Sequence, residues 1–339
     1  APGSDKGVTT AVRGMVKRLG EPVVRTAVAQ AMKELGRQFV LGRNIDEAIS
    51  KAKKMEKKGY TYSYDMLGEG AKTDSDALRY LTAYATAITQ LTAISTSTDI
   101  RKNPGISLKL SALYARYEYA KADQVLDVLV SRTTSLALQA KAGNLGFNID
   151  AEEADRLDLS LDVIEAVLRH PALEGWDGFG VVVQAFCPRA PFVLDWLYSL
   201  AQKLDRKIMV RLVKGAYWDA EIKKAQVLGL EGYPVFTRKV NSDVSYIACA
   251  RKLMDMRDRI YPQFATHNAH SVAAVLHLSD DLDSFEFQRL HGMGESLYEA
   301  VLEQQPVHCR IYAPVGAHKD LLAYLVRRLL ENGANSSFV

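Results

Sequence analysis

The stretch GFGVVVQAFCPRAPFVLDWLYSLAQKLDRKIMVRLV, residues 178–213, contains two short apolar runs with a helical segment between them. Residues 178–186 and 207–213 have the length and β-branched content of buried strands. Residues 193–203 carry apolar side chains at helical spacing. A strand, a helix and a second strand are typical of α/β folds with a parallel sheet. The rest of the chain decides which of these folds is present.

Six further strand-like runs flank this stretch and bring the total to eight. They cover residues 60–67, 105–111, 145–150, 263–267, 285–291 and 307–314. Helical segments alternate with the strands, at residues 75–96, 122–142, 153–169, 244–257 and 318–331. Eight strands alternating with helices predict a (βα)8 barrel of the TIM type. A doubly wound sheet would alternate similarly, but no GxGxxG motif follows any of the strands.

The segment before the barrel has a different pattern. Apolar residues recur at helical spacing over residues 11–58, with charged residues between them. The first ten residues contain no apolar run and read as a flexible leader. We therefore expect two parts, a leader with a helical arm over residues 1–59 and a single barrel domain over residues 60–339.

Composition restricts the class of protein. The 43 Lys and Arg nearly balance 40 Asp and Glu, which argues against nucleic acid or an anionic membrane as the main partner. Three cysteines, at positions 187, 249 and 309, show no CxxC spacing and indicate neither a disulfide framework nor a zinc cluster. No apolar run approaches the roughly 18 residues of a membrane-spanning helix. These features predict a cytoplasmic protein.

Polar side chains stand at the end of each predicted strand. Barrel enzymes build their active sites at the C-terminal ends of the strands. We therefore expect the site at this end of the barrel. In chain order the residues are Asp65, Lys109, Asp150, Gln184, Arg211 with Lys214, Thr266 with His267 and Asn268, Gln288 with His291, and Tyr312.

Lys109 alternates with aliphatic residues in the second strand, so we expect its side chain to point into the barrel. A buried lysine needs an anionic partner. Asp150 ends the following strand on the inward face and is the natural candidate. A structural ion pair and an additional anionic substrate are equally compatible with this pattern.

Residues 210–218, VRLVKGAYW, place two cations, a glycine and two aromatic residues around one strand end. This combination suits a planar ring with a pyrophosphate tail. Thr237, Arg238 and Lys239 add hydrogen-bond donors on a neighbouring loop, as do residues 266–268. Alone, each could be a solvated strand end, but together they predict a dinucleotide held without a Rossmann fold.

The last predicted helix has a polar face formed by Tyr324, Arg327 and Arg328. Such a face is usually solvated, but adjacent arginines can also supply two planar forks for a carboxylate. His267, His291 and Asp150 could instead complete a metal triad, although their spacing matches no compact metal motif. A metal-assisted barrel hydrolase is therefore the alternative enzyme, and a noncatalytic binding barrel is a third possibility.

Several motifs together resemble the proline dehydrogenase domain of the bacterial proline utilization A family. The resemblance runs from about Leu19 to the C-terminus. The motifs are NIDAEEA at 148–154, RLVKGAYW at 211–218, ATHN at 265–268, LHGMG at 290–294 and YLVRRLLEN at 324–332. The resemblance implies a distorted barrel whose last helix lies over the mouth. It implies noncovalent FAD and oxidation of L-proline to Δ1-pyrroline-5-carboxylate, the first step of proline catabolism.

The resemblance also implies residue roles, with hydride transfer from proline C5 to flavin N5. Asp150 and Arg211 would belong to the catalytic network. Proline would be bound by Lys109, Tyr217, Leu290, Tyr312, Tyr324, Arg327 and Arg328. FAD would be bound by Gln184, Arg211, Val213, Lys214, Gly215, Ala216, Trp218, Thr237, Arg238, Lys239, Thr266, His267, Asn268, Gln288 and Glu331.

Partners follow from the same resemblance. The electrons would pass to a membrane quinone, with transient peripheral contact to the inner membrane. Full-length members of the family carry a basic DNA-binding module before this region and an aldehyde dehydrogenase module after it. We expect this chain to lack both modules and therefore expect no nucleic-acid partner.

Overall fold

Eight parallel strands close into a barrel in the computed structural model, which describes residues 36–316 together with Thr26, Gln30 and Arg327. Each strand pairs with the next in sequence, and the last pairs with the first over Thr61–Met66. The strands are β1 Thr61–Met66, β2 Gly105–Leu108, β3 Gly146–Ile149, β4 Phe179–Gln184, β5 Ile208–Val213, β6 Ile260–Ala265, β7 Glu286–Leu290 and β8 His308–Val315. The predicted barrel is confirmed, and the doubly wound alternative is wrong.

Helices surround the barrel in the described range. They are α1 Ile45–Glu56, α2 Asp74–Thr92, α3 Leu110–Leu113, α4 Ala122–Ala142, α5 Leu157–Leu168, α6 Ala190–Lys203, α7 Trp218–Leu228, α8 Lys239–Asp255, α9 Ala269–Leu278 and α10 Glu295–Gln304. Short 3-10 turns lie at Ile100–Lys102, Tyr119–Lys121, Ala154–Arg156 and Pro171–Leu173. Apolar faces of the helices pack on the outward side chains of the strands, which forms the main hydrophobic core.

Helix starts explain two departures from the predicted boundaries. The second strand ends at Leu108 rather than residue 111, because α3 begins two residues later. The helical run predicted over residues 11–58 is interrupted near residue 44 in its described part. Asn44 has extended backbone angles, and its side chain accepts the backbone N–H of Glu47 as the N-cap of α1.

Other helices differ from expectation in presence rather than position. α7, α9 and α10 are not among the helices named from the sequence. α9 and α10 each connect one strand to the next, whereas α7 precedes α8 between β5 and β6. The last predicted helix, residues 318–331, lies outside the described residues except for Arg327.

The barrel interior is polar, and its lower layer is built around one buried carboxylate. Glu286 is fully buried and accepts hydrogen bonds from Gln263 Nε2 at 2.9 Å, Gln288 Nε2 at 2.7 Å and Arg310 Nε at 2.8 Å. Gln288 in turn accepts a hydrogen bond from Arg211 Nε in the layer above. The site at the top of the barrel therefore rests on a hydrogen-bonded floor.

Candidate active site

A cleft opens at the C-terminal ends of the strands, as the sequence predicted. It encloses about 1100 Å³ including its open mouth. The cleft brings together most of the residues predicted for the site. These are Lys109, Asp150, Gln184, Arg211, Val213, Lys214, Gly215, Ala216, Tyr217, Thr266, His267, Asn268, Gln288, Leu290, Tyr312 and Arg327. Ala151, Val182, Ala265 and Arg289 complete the described lining.

Lys109 is held between two carboxylates at the base of the cleft. Its Nζ lies 3.0 Å from Asp150 Oδ2 and 3.2 Å from Asp65 Oδ2. The phenol oxygen of Tyr312 lies 2.7 Å from Asp150 Oδ2 and 2.6 Å from Asp65 Oδ2. The inward direction expected for Lys109 and its pairing with Asp150 are therefore found, with Asp65 as a second partner.

The charge state of this cluster follows from its neighbours. Burial raises the pKa of Asp65 above its usual range, although Lys109 works against this rise. Burial acts to raise the pKa of Asp150 as well. Lys109 and Arg211 outweigh this effect and hold the pKa of Asp150 below its usual value. Two cations, Lys109 and Arg211, thus face two carboxylates, Asp65 and Asp150, in this cluster.

Arg211 is fixed at the centre of the barrel. Its Nη1 donates to Asp150 Oδ1 at 2.9 Å and its Nη2 donates to Ser107 Oγ at 2.9 Å. Its Cζ lies 5.1 Å from the ring centroid of Tyr312. Since Gln288 accepts from Nε as well, each nitrogen of the guanidinium has a partner, and the group cannot swing away from the cleft floor.

Arg327 enters the cleft from the far end of the chain and forms a fork with Glu69. Its Nη1 and Nη2 donate to the two carboxylate oxygens at 2.5 and 2.8 Å. The guanidinium stacks over Tyr217, with Cζ 5.2 Å from the ring centroid. Burial raises the pKa of Glu69, but Arg327 and Lys109 more than reverse this, so its pKa lies below the usual value. Arg327 is therefore held as a partly buried cation beside an aromatic ring.

A second pair of cations, Lys214 in the cleft lining and Lys239 outside it, shares one carboxylate. Lys214 Nζ contacts Asp243 Oδ1, and Lys239 Nζ lies 2.7 Å from Asp243 Oδ2. Arg238 is the N-cap of α8, and its side chain makes no capping hydrogen bond. Gly215 has φ of 135°, a region that residues with a side chain rarely adopt.

Residues 266–268 are tied to the scaffold. Asn268 Oδ1 accepts the N–H of Ser271 at 3.0 Å and thereby caps α9. His267 Nε2 accepts the N–H of Leu290 at 3.0 Å, so that nitrogen is not available as a metal ligand. Burial lowers the pKa of His291 to about 4, and His291 does not line the cleft. The three ligands of the alternative metal triad are thus not brought together, and no other metal-binding cluster occurs among residues 36–316.

Four residues predicted for the cofactor are not part of the cleft lining: Trp218, Thr237, Arg238 and Lys239. All four are exposed. The Trp218 indole N–H donates to the carbonyl of Phe236 at 2.8 Å, which links the start of α7 to this loop. Tyr324, Arg328 and Glu331 lie outside the described residues, so their roles stay predictions.

Other residues of the site were not assigned from the sequence. Asp65 was one of the polar strand ends, and the inward parity of β1 could have placed it beside Lys109. Ser107 and Ser63 share this parity and bond each other at 2.9 Å. Glu69 lies in the loop after β1, where no periodic pattern indicates a direction.

Comparisons with known proteins agree with this geometry. A family model described as "Proline dehydrogenase" matches residues 48–339. The chain is 52% identical to the bifunctional protein PutA of Escherichia coli K12, over 99% of the chain and 26% of that protein. It is 27% identical to proline dehydrogenase of Deinococcus radiodurans, over 94% of the chain and 93% of the relative. A crystal structure of a mutant of Bradyrhizobium japonicum proline utilization A matches with a TM-score of 0.85 and 57% identity, covering 96% of this chain and 33% of that one.

Two further findings concern partners. The chain spans about a quarter of the length of its PutA relatives. A model described as "DNA-binding domain of Proline dehydrogenase" matches residues 3–39, so this segment resembles part of a module that we expected to be absent. In the region that the structure describes, none of the helices is both long and apolar enough to cross a membrane.

Proposed function

The chain belongs to the proline dehydrogenase family, and we propose that it oxidises L-proline to Δ1-pyrroline-5-carboxylate with noncovalently bound FAD. The observation that carries this proposal is that two buried cations, Lys109 and Arg327, line one cleft together with Tyr217 and Tyr312. A five-membered ring with a carboxylate matches both features. The quinone acceptor, the role in proline catabolism and transient contact with the inner membrane from the cytoplasm are proposed from the family resemblance.

Lys109 and Arg327 would bind the carboxylate of proline, together with Arg328. Tyr217, Leu290 and Tyr312 line the cleft. They would pack against the aliphatic ring, with Tyr324 as the fourth wall. Charge-assisted contacts of this kind contribute roughly 1.5–3 kcal/mol each.

The residues on the other side of the cleft fit a flavin dinucleotide. Lys214 and Lys239 share one carboxylate, so the pair has charge left for a pyrophosphate. The uncapped start of α8 offers backbone N–H groups to an anion. Gln184 and Arg211 lie on the cleft wall and floor, where they would face the polar edge of the ring. When bound, FAD would supply the hydride acceptor at its N5 atom.

Asp150 would act by orientation rather than by accepting the substrate's proton. Its two oxygens hold Lys109 and Arg211, and its pKa lies below the usual value. Such a carboxylate is a weak base. It would fix Lys109, which binds the proline carboxylate, relative to Arg211, which lies beside the flavin ring. This arrangement would orient proline C5 for hydride transfer.

The proposal is tested by the absorption spectrum of the purified protein, recorded without oxygen before and after addition of L-proline. We expect flavin bands that bleach with L-proline and do not bleach with pyrrolidine, which lacks the carboxylate. A flavin-containing protein that proline does not reduce contradicts the substrate. A colourless protein whose activity requires zinc contradicts the cofactor and favours the hydrolase.

A further inference from the structure

A buried carboxylate outside the predicted site is bonded to a serine at the start of α3. Glu152 follows β3, and its side chain is 6% exposed. Its Oε1 accepts the backbone N–H of Ser111 at 3.0 Å, and its Oε2 accepts the Ser111 hydroxyl. Lys109 is the N-cap of α3 and makes no side-chain capping bond. Glu152, which follows the neighbouring strand β3, therefore caps the turn that begins at Lys109.

Ser111 extends this connection to the loop after β1. Its hydroxyl oxygen accepts the N–H of Gly70 at 3.0 Å, and its carbonyl accepts the N–H of Ala71 at 2.8 Å. Gly70 has φ of 57°, so the chain turns sharply immediately after Glu69. Glu69 is the residue whose carboxylate holds both terminal nitrogens of Arg327. A continuous path of hydrogen bonds thus joins Glu152, Ser111, the 68–71 loop and Arg327.

From this path we propose that Ser111 and Glu152 are positioning residues for substrate binding, because they hold the loop that presents Glu69 to Arg327. The inference rests on the proposed function. Neither residue lines the cleft, so neither touches the substrate directly. They act by fixing a flexible arginine before the substrate arrives, which reduces the entropy lost on binding.

The Ser111 side chain alone is sufficient to join Glu152 to the loop after β1, because it forms a hydrogen bond on each side. The Ser111 hydroxyl donates to Glu152 and accepts from Gly70 at the same time, so its geometry is fixed from both sides. Alanine at this position retains the backbone bonds but loses both hydroxyl contacts. Losing one ordinary hydrogen bond corresponds to a change of roughly fivefold in an equilibrium constant, and losing two to at least tenfold.

The test compares Ser111→Ala with Ser160→Ala in the FAD-loaded protein. Ser160 lies in the first turn of α5 and donates to the carbonyl of Leu157 at 2.7 Å, so it is a matched serine without a hydrogen bond to the 68–71 loop. The inhibitor in this test is tetrahydrofuran-2-carboxylate, a proline analogue in which oxygen replaces the ring nitrogen. For Ser111→Ala we expect KM for proline to rise about tenfold, and we expect the same rise in Kd for the inhibitor, measured from the flavin spectrum. We expect kcat and FAD content to stay near the parent values. Ser160→Ala should resemble the parent in all four measurements.

A second comparison asks whether the effect passes through Glu69. In a Glu69→Gln background, Ser111→Ala should add less than about twofold to KM, because the contact that it supports is already lost. Full additivity would show that Ser111 acts by another route. Unchanged or tighter binding by Ser111→Ala alone would also overturn the proposal. If Ser111→Ala does not fold, Glu152→Gln takes its place with the same expectation, since it disrupts the bond to the hydroxyl.

The two proposals fail in different ways. A parent protein that contains no flavin, or that proline does not reduce, contradicts the proposed function before any variant is compared. If proline reduces the parent protein but the Ser111→Ala variant binds the inhibitor as tightly as the parent does, only the positioning role is contradicted.

Discussion

Arg327 is the residue at which substrate affinity can be tested most directly. Replacing it with methionine retains an unbranched apolar stem but removes the guanidinium fork that Glu69 holds over Tyr217. We predict that Arg327→Met raises KM for proline by roughly one to two decades and leaves the barrel folded, because one charge-assisted contact is lost. Steady-state kinetics and circular dichroism measure the two effects.

Arg189→Met is the matched control for this change, since Arg189 is exposed and pairs with Asp158 at the outer surface. It should leave KM unchanged. The resemblance predicts that Arg328→Met behaves like Arg327→Met. An unchanged KM in both Arg327→Met and Arg328→Met would remove these arginines from the substrate site.

Asp150 is the carboxylate shared by Lys109 and Arg211, and replacing it tests the importance of this pairing. Replacing it with alanine leaves Lys109 and Arg211 with one carboxylate fewer at 10% or less side-chain exposure. We predict that Asp150→Ala lowers kcat/KM for proline far more than it lowers FAD content. Lys109 and Arg211 lose their common carboxylate, while Lys214 and Lys239, the lysines proposed to bind FAD, keep Asp243. The loss of a buried partner typically costs about 3–5 kcal/mol, so stability should fall too.

Kinetics at saturating FAD and the flavin-to-protein absorbance ratio separate these effects. Asp150→Asn is the control that separates the effect of charge from that of shape, because it preserves the side-chain volume and removes the negative charge. A variant Asp150→Ala that turns over proline at the parent rate would show that the carboxylate only packs there.

These residues also show how far sequence reasoning reached. The pairing of Lys109 with Asp150 could be predicted because strand parity and neighbouring strand ends fix both positions. Asp65 required the further step that β1 closes the barrel beside β2. Glu69 could not be found, because its direction depends on the loop turn at Gly70 and on a partner about 258 positions away in sequence.

At the scale of elements, strands were predicted more reliably than helices. Each strand is a short apolar run with a polar end, a pattern that stands out locally. α7 and α9 begin directly after residues 211–217 and 266–268, whose polar side chains interrupt the apolar spacing that predicts a helix. For α9 a signal was present, since Asn268 with Ser271 three positions later is an N-cap arrangement.

This cap gives a prediction about α9. Asn268→Ala removes the acceptor for the Ser271 N–H at a helix start that borders the cleft. We expect the free energy of unfolding to fall by about 1 kcal/mol, and FAD to dissociate more readily because the α9 start also lies on the cofactor side. Urea unfolding and equilibrium dialysis of FAD measure both. Asn268→Asp, which can still cap, should keep the parent stability; equal losses in both variants would argue against a capping role.

At the scale of the whole molecule, the eightfold alternation was sufficient to predict the closed barrel, and the residues on its rim gave the site. What the sequence did not show is how charge is distributed inside. Glu286 with Arg310, and Asp65 and Asp150 with Lys109 and Arg211, form two stacked charged layers. Long-range pairs of this kind depend on barrel closure and leave no local pattern.

Buried titratable groups also make the stability of the barrel depend on pH, with opposite signs at two places. Burial lowers the pKa of His291 from 6.5 to about 4, so its contribution is present above pH 6.5 and is lost as the pH falls towards 4. Burial raises the pKa of Glu152 from 4.5 to about 7, so its contribution is present below pH 4.5 and is lost as the pH rises through 7. Between these limits the two slopes oppose each other.

A variant separates the two contributions. Glu152→Gln removes the acid that must ionise inside the protein, while His291 stays as it is. We predict that this variant gains stability relative to the parent as the pH rises from about 5 to about 8, by up to roughly 3 kcal/mol, because a shift of one pKa unit corresponds to about 1.4 kcal/mol. The absolute stability of the variant at low pH can lie below that of the parent, since the hydroxyl contact of Ser111 is changed. The informative quantity is therefore the change with pH of the difference in unfolding free energy, measured by urea titration at both ends of the range. A difference that does not vary with pH would place the ionisation of Glu152 at its ordinary value, and would mean that Arg156 and Ser111 compensate the burial of the carboxylate in full.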